Sequence, residues 1–163
     1  MTAPVARLWN EITTEELYGF LRLRSDVFMW EQRADDEELD GRDLEPTTVH
    51  WWIADARGTA AYLRVLWDEV AEHRDAHRVI GRVAVRADRR GEGLAAALMA
   101  AAVARLDAAG EASLLHSQAQ VTGLYARFGY TPYGEPYVEA GMPHRSMYRA
   151  PRGPGRGEPA PGA

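Results

Sequence analysis

The stretch from Val79 to Gly110 constrains this chain most. Val79 to Val85 is a β-branched run that reads as a strand, and it stops at the polar cluster Arg86-Ala87-Asp88-Arg89-Arg90, where the chain must turn. From Glu92 to Ala109 alanine and leucine dominate, with Gly110 just beyond, which predicts a helix and its C-terminal stop. Gly91 and Gly93 fall between strand end and helix start. Unpaired backbone N–H groups and the positive helix end meet there, so the turn attracts an anion, and a Cβ at a glycine would hold a phosphate away. The bland alternative is a glycine turn among solvated arginines.

Around this unit, Val5 to Trp9 reads as a short strand. Thr13 with Glu16 forms a capping-box pattern that opens a helix ending near Trp30, with Leu17, Phe20, Leu21, Val27 and Phe28 at helical spacing. Asp35 to Glu45 is an acidic, turn-rich connection. Val49 to Asp55 and Thr59 to Trp67, separated by Ala56-Arg57-Gly58, predict an antiparallel hairpin. Asp68 to Arg78 reads as a charged linker whose His73 and His77 are solvated. Ala112 to His116 predicts a strand, Ala119 to Phe128 a short helix closed by Gly129, and Tyr130 to Tyr137 and His144 to Arg149 two final strands. The order is βα, ββ, βα, βα, ββ. Residues 151 to 163 are almost wholly Pro, Gly, Ala and charge, cannot offset chain ordering by burial, and are expected to be disordered.

A length of 163 residues with 46% hydrophobic character suits one compact domain, residues 1 to 150. The absence of cysteine excludes disulfides, thiolate zinc sites and a cysteine nucleophile, so any nucleophile is another group or the substrate itself. A net charge of -5 with scattered arginines argues against nucleic acid as a partner and welcomes a cationic small substrate. No stretch approaches the ~20 apolar residues of a membrane span, and the N-terminus lacks an apolar leader, so the expectation is a cytoplasmic protein with no membrane partner. No metal is expected. His73 and His77 lack a Glu at the metalloprotease position, and Asp36, Glu38, Asp40 and Gly41 lead to Thr47 where a calcium loop needs glutamate.

Three phosphate-binding patterns compete for the turn. A P-loop needs Gly-Lys-Ser/Thr, which does not follow. Gly91-x-Gly93-x-x-Ala96 fits the dinucleotide fingerprint, but that pattern wants an acid at the end of the next strand, and Glu111 precedes it. The third is Arg/Gln-x-x-Gly-x-Gly/Ala, met by Arg90, Gly93 and Ala95. It resembles the coenzyme A loop of the GNAT N-acetyltransferases. Val83-Ala84-Val85 resembles that family's central strand, and Leu124-Tyr125-Ala126-Arg127-Phe128-Gly129-Tyr130 its Tyr-x-x-x-Gly-Phe/Tyr segment. Within the family the chain is similar to the ElaA-like group through Leu23 to Gln32, Asp40-Gly41-Arg42-Asp43, His50, Gly134-Glu135 and Gly141-Met142-Pro143-His144. It departs from the group at Arg33 to Leu39, which lacks the usual Cys-Pro-Tyr element.

The resemblance implies a mixed α/β (α+β) acyl-CoA N-acyltransferase fold, a mostly antiparallel twisted sheet of about six to seven strands flanked by about four helices. It implies transfer of an acetyl group from acetyl-CoA to a primary amine of a small molecule or peptide, without a covalent enzyme intermediate. Val83, Ala84 and Val85 would offer backbone hydrogen bonds to pantetheine and the thioester carbonyl. Arg90, Gly91, Glu92, Gly93, Leu94, Ala95 and Ala96 would cradle the pyrophosphate. Tyr125 stands where the family often protonates the leaving thiolate, and a phenol holds its proton at neutral pH. For the base, Glu31, His50, Glu139 and His144 lie near predicted element ends, and the histidines lead because imidazole titrates in the right range. Homodimerisation is left open.

Two other readings remain. Arg24, Phe28 and Glu38-x-Asp40-x-x-Asp43 also resemble acyl-homoserine-lactone synthases, which would make S-adenosylmethionine the acceptor. A chain that keeps the loop without the proton-transfer groups would be an acyl-CoA-binding sensor.

Overall fold

The computed structural model describes residues 2–153. β1 (Val5–Leu8) leads through a 3-10 turn to α1 (Thr14–Arg24). α1 opens as its sequence predicts: Glu16 N–H donates to Thr13 Oγ1 at 3.2 Å, and Thr13 N–H to Glu16 Oε2 at 3.0 Å. A π-helical stretch, Ser25–Glu31, prolongs it. β2 (Val49–Asp55) and β3 (Gly58–Trp67) form the expected hairpin, followed by β4 (Arg78–Val85), α2 (Leu94–Ala109), β5 (Ser113–Gln118), α3 (Thr122–Ala126), β6 (Thr131–Glu139) and β7 (Met142–Arg149). The order matches the sequence reading, with three α-helices and the π-helical stretch around one seven-stranded sheet, β1-β2-β3-β4-β5-β7-β6. Every neighbouring pair is antiparallel except β4 with β5.

The period-two alternation of β2 sorts its side chains onto the two faces of the sheet. Val49, Trp51 and Ile53 join the core under α2, where Leu98, Met99, Ala102 and Leu106 pack. Trp52 faces the opposite core with Phe20, Leu23 and Val27 of the first helix. Burying each large apolar side chain contributes ~1.5–3 kcal/mol, so both helices are held by the sheet more than by helix propensity.

Two irregularities shape the centre. Between the pairs Tyr62↔Ala84 and Arg64↔Gly81 the register shifts, so Leu63 opposes both Arg82 and Val83, and Arg82 takes a φ of 54°. This is a β-bulge, which bends the strand and re-aims its backbone. Secondly, β4 pairs with β5 only over Arg78–Ile80 against Ser113–Leu115. Beyond that point β5 continues beside β7, to Gln118↔His144, and β4 loses its neighbour.

Several element bounds differ from the sequence reading. α2 starts at Leu94 instead of Glu92, because Gly93 adopts a left-handed φ of 78° and serves as its N-cap. The helix expected over Ala119 to Phe128 is a 3-10 turn (Ala119–Val121) and the short α3; β-branched Val121 and Thr122, then Gly123, weaken helix there. β7 begins at Met142, so His144 lies inside a strand. The Asp68 to Arg78 segment is a docked strap: His73 stacks on Tyr133 with centroids 3.8 Å apart, His77 on Trp67 at 4.7 Å, and Ala76 is buried. Reading those histidines as solvated missed aromatic partners distant in sequence. Arg152 N–H donates to Asp107 Oδ1 at 2.8 Å, tying down the start of the segment expected to be disordered. Its remainder, from 154, lies outside the described residues.

Candidate active site

Where β4 and β5 part, the sheet opens into a cleft of about 730 Å³ lined by both strands. On one wall are Val83, Ala84 and Val85, whose backbone has no strand partner on the β5 side. Arg90, Ala95, Leu124 and Tyr125 continue it. Of the turn residues named from the sequence, Gly91, Glu92, Gly93, Leu94 and Ala96 do not line the cleft. Leu94 is locked in the core, and Glu92 pairs with Arg89 at 2.7 Å.

Gly91 and Gly93 have φ of 79° and 78°, and a Cβ added at either would meet no atom within 4 Å. Alternating left-handed residues turn successive N–H groups toward one side, making an anion nest. The first helical bond is Ala97 N–H to Gly93 O at 3.0 Å, so the N–H groups ahead of it have no intrahelical acceptor. The room beside the glycines and the uncapped helix end fit a pyrophosphate. The neighbouring arginines are engaged in ion pairs. Arg86 and Arg89 reach Asp55 Oδ2 at 2.5 and 2.6 Å, bracing the turn from the hairpin, and they hold that carboxyl well below the usual carboxylate range. Arg90 donates to Val85 O at 3.2 Å and to both Glu31 oxygens at 2.9 and 2.7 Å.

Tyr125 lines the same wall and is 7% exposed. Burial pushes its phenol up to about 12, so it keeps a proton to give at neutral pH.

The four base candidates separate. His50 is fully buried away from the cleft, with Nδ1 2.7 Å from the Tyr62 hydroxyl and Nε2 3.0 Å from Asp43 O. Burial lowers its pKa, and both nitrogens are spent on structure. Glu31 lines the cleft and is engaged by Arg90. Glu139 and His144 meet across the β6–β7 end, Oε2 to Nε2 at 3.9 Å. His144 Nδ1 lies 2.8 Å from Met142 O, an acceptor without a proton, so Nδ1 carries a hydrogen and, in the neutral ring, Nε2 is the nitrogen with the lone pair.

His116 belongs to this cleft and was missed by sequence reasoning. It is the first β5 residue beyond the last β4 pair, a position signalled only by a histidine at the end of the Ala112 to His116 run. Ser146 Oγ sits 2.9 Å from its Nδ1 and Glu72 Oε2 3.1 Å from its Nε2.

Behind the wall opposite Val83 to Val85 lies a buried ionic network. Arg24 reaches Glu38 at 2.5 Å and Asp43 at 2.8 Å; Arg64 reaches Asp43 at 3.0 Å and Asp40 at 2.5 Å; Arg82, on the bulge, reaches Glu38 at 3.0 Å. Burial opposes the Asp40 charge, but hydrogen bonds from Arg64 and the Arg42 N–H prevail and bring its pKa to about 2. Arg24 and the acidic trio, read as a second-substrate signature, are thus consumed in pinning the 35–45 connection to β3 and β4.

A model of the acetyltransferase (GNAT) domain matches residues 25–150. The chain is 34% identical over 159 residues to a UPF0039 protein of Mycobacterium tuberculosis, covering 97% of each. It is 34% identical over 145 residues to Protein ElaA of Escherichia coli, covering 86% of this chain and 91% of that one. The crystal structure of E. coli ElaA superposes with a TM-score of 0.81 at 30% identity, over 91% of this chain and 99% of that one. That of an acyl-CoA N-acyltransferase from Pseudomonas aeruginosa does so with 0.81 at 33%, over 90% and 99%.

Proposed function

We propose that this chain, which belongs to the GNAT acetyltransferase family in its ElaA-like group, moves an acetyl group from acetyl-CoA to a primary amine of a small molecule or peptide. The observation that carries this reading is the parting of β4 from β5 between the glycine turn and Tyr125. A thioester supplies an activated acyl carbon when bound. Backbone groups of Val83 to Val85 would hold pantetheine and face the developing oxyanion, and residues 90 to 96 would take the pyrophosphate.

His144 Nε2 accepts one proton from the acceptor's ammonium, and the neutral nitrogen then forms the C–N bond as the C–S bond breaks. The departing thiolate takes the Tyr125 hydroxyl proton. The nitrogen's second proton restores the phenol, leaving one net proton on His144 for release to solvent. No covalent enzyme intermediate is needed.

Thiol release from acetyl-CoA with a panel of primary amines tests this. The chain contains no cysteine, so a thiol reagent reads coenzyme alone, and it contains no lysine, so side-chain self-acetylation adds no background. Release that depends on the amine supports the reading. Coenzyme binding without release by any amine would replace it with the sensor, and release only with S-adenosylmethionine would replace the acceptor class.

A further inference from the structure

We propose that Glu72 is the specificity residue of the acceptor pocket, and that the acceptor carries a second cationic group, an ammonium or guanidinium, which Glu72 binds while its amine is acetylated. This rests on the acyltransferase reading above. Glu72 belongs to the docked strap between β3 and β4 and lines the cleft together with His116 and His144. Its Oε1 accepts the Tyr133 hydroxyl at 3.0 Å, and its Oε2 lies 3.1 Å from His116 Nε2. A glutamate on an open surface keeps its rotamer freedom, whereas this one is fixed by donors from two other strands.

The carboxylates of this cleft are not equivalent. Glu31 is taken by Arg90, Glu38 by Arg24 and Arg82, Asp40 by Arg64, and Asp68 by Arg42, whereas Asp36, Glu72 and Glu139 pair with no arginine among the described residues; of these three, Glu72 is the one held by donors from two other strands, and Glu139 lies 3.9 Å from His144 Nε2. Among the described residues no arginine pairs with Glu72, and its side chain is 48% exposed. Tyr133 and His116 occupy one lone pair on each oxygen and leave the others open to a charged donor. Behind the two cleft histidines packs Tyr137, edge-on to His116 at 6.2 Å and stacked on His144 at 5.8 Å. The strap itself is held by His73 against Tyr133 and by the Tyr148 hydroxyl on Asp75 at 2.6 Å, so the carboxylate is presented by an anchored segment.

The test measures thiol release from acetyl-CoA by the full chain with butylamine and with 1,4-diaminobutane. We expect the diamine to be preferred by ~30-fold in kcat/KM, the discrimination typical of one charge-assisted hydrogen bond. Glu72→Gln is expected to cut that ratio ~10-fold or more, chiefly by raising KM for the diamine. Tyr133→Phe, which leaves the carboxylate but frees it, is expected to give a smaller loss; thermal melting checks that each variant folds. Equal use of the two amines by the wild type, or a preference that survives in Glu72→Gln, overturns the assignment while leaving the acyltransferase reading intact. No thiol from either amine, while another amine of the panel without a second cationic group does release it, overturns the assignment alone; no thiol from any amine overturns both.

Discussion

The donor wall of the cleft is mostly one continuous stretch of chain, β4, the glycine turn and the start of α2, joined by Leu124 and Tyr125 of α3, whereas the acceptor wall gathers the π-helical stretch, the 35–45 connection, the strap and β6–β7. The donor wall works through backbone: left-handed glycines, unpaired strand groups and a helix end. The acceptor wall works through side chains, with six buried or half-buried charges joined in one network and histidines held by partners distant or near in sequence. A backbone site is robust to most substitutions and sensitive to a Cβ in a few places. A side-chain site can diverge by single changes, but it depends on ion pairs that fail as units.

Breaking the acceptor network should have the largest effect. Asp43→Asn leaves the Arg24 and Arg64 guanidiniums buried with one carboxylate fewer, and breaking such a pair costs ~3–5 kcal/mol. A fall in melting temperature of about 10 °C is expected. Asp55→Asn, at the half-exposed brace of the donor turn, should cost less than ~1 kcal/mol. Equal losses would erase the contrast between the walls. The pH dependence follows from the same network. Asp40 and Asp43 are held below their ordinary pKa, so their contribution is complete above the unfolded value of ~3.9 and is lost as pH falls toward the folded value. For Asp40 that value is about 2, so acid titration followed by tryptophan fluorescence should show loosening between about pH 4 and 2. In Asp40→Asn the change should shrink.

The next effect is chemical. Tyr125→Phe removes the proton that the thiolate takes but keeps the ring that packs in the core, so turnover should fall ~100-fold with coenzyme affinity nearly intact. An unchanged rate would remove Tyr125 as the acid. Smaller again, Gly93→Val forces a β-branched residue into a left-handed φ and puts a side chain where phosphate would approach. Coenzyme affinity should drop ~10-fold or more, matching strain of ~1–2 kcal/mol, with the helical signal retained. Calorimetric titration with coenzyme A reads it, and undiminished affinity would detach the turn from the donor.

The same contrast explains what the sequence discloses. Strand, turn and helix over Val79 to Gly110 are legible because their signals are local: β-branching, glycine position and helix composition. So is Tyr125, whose case rests on its spacing from Gly129 and Tyr130 in one short segment. The acceptor wall is not legible in that way. His50 and His144 look alike in sequence, and only the long-range contacts with Tyr62, Asp43 and Met142 tell a structural histidine from one with a free lone pair. His116 and Glu72 lie 44 positions apart, and no periodicity links them. The acidic run from Asp35 reads only as a turn-rich connection until Arg64 and Arg82, on β3 and β4, supply its counter-charges.

The contact that joins the phosphate turn to the opposite wall makes the smallest prediction. Arg90 of the turn holds Glu31 of the π-helical stretch, with side chains 47% and 38% exposed. An ion pair this exposed contributes less than ~1 kcal/mol, so Glu31→Gln should leave the melting temperature nearly unchanged. The substitution also removes a negative charge from beside the phosphate turn and frees Arg90 to meet the coenzyme. Affinity for coenzyme A should therefore rise, by less than ~5-fold, and the gain should vanish near 1 M salt, where the screening length is ~3 Å. If affinity is unchanged at low salt, Arg90 does not act on the phosphates, and the turn binds through its backbone alone.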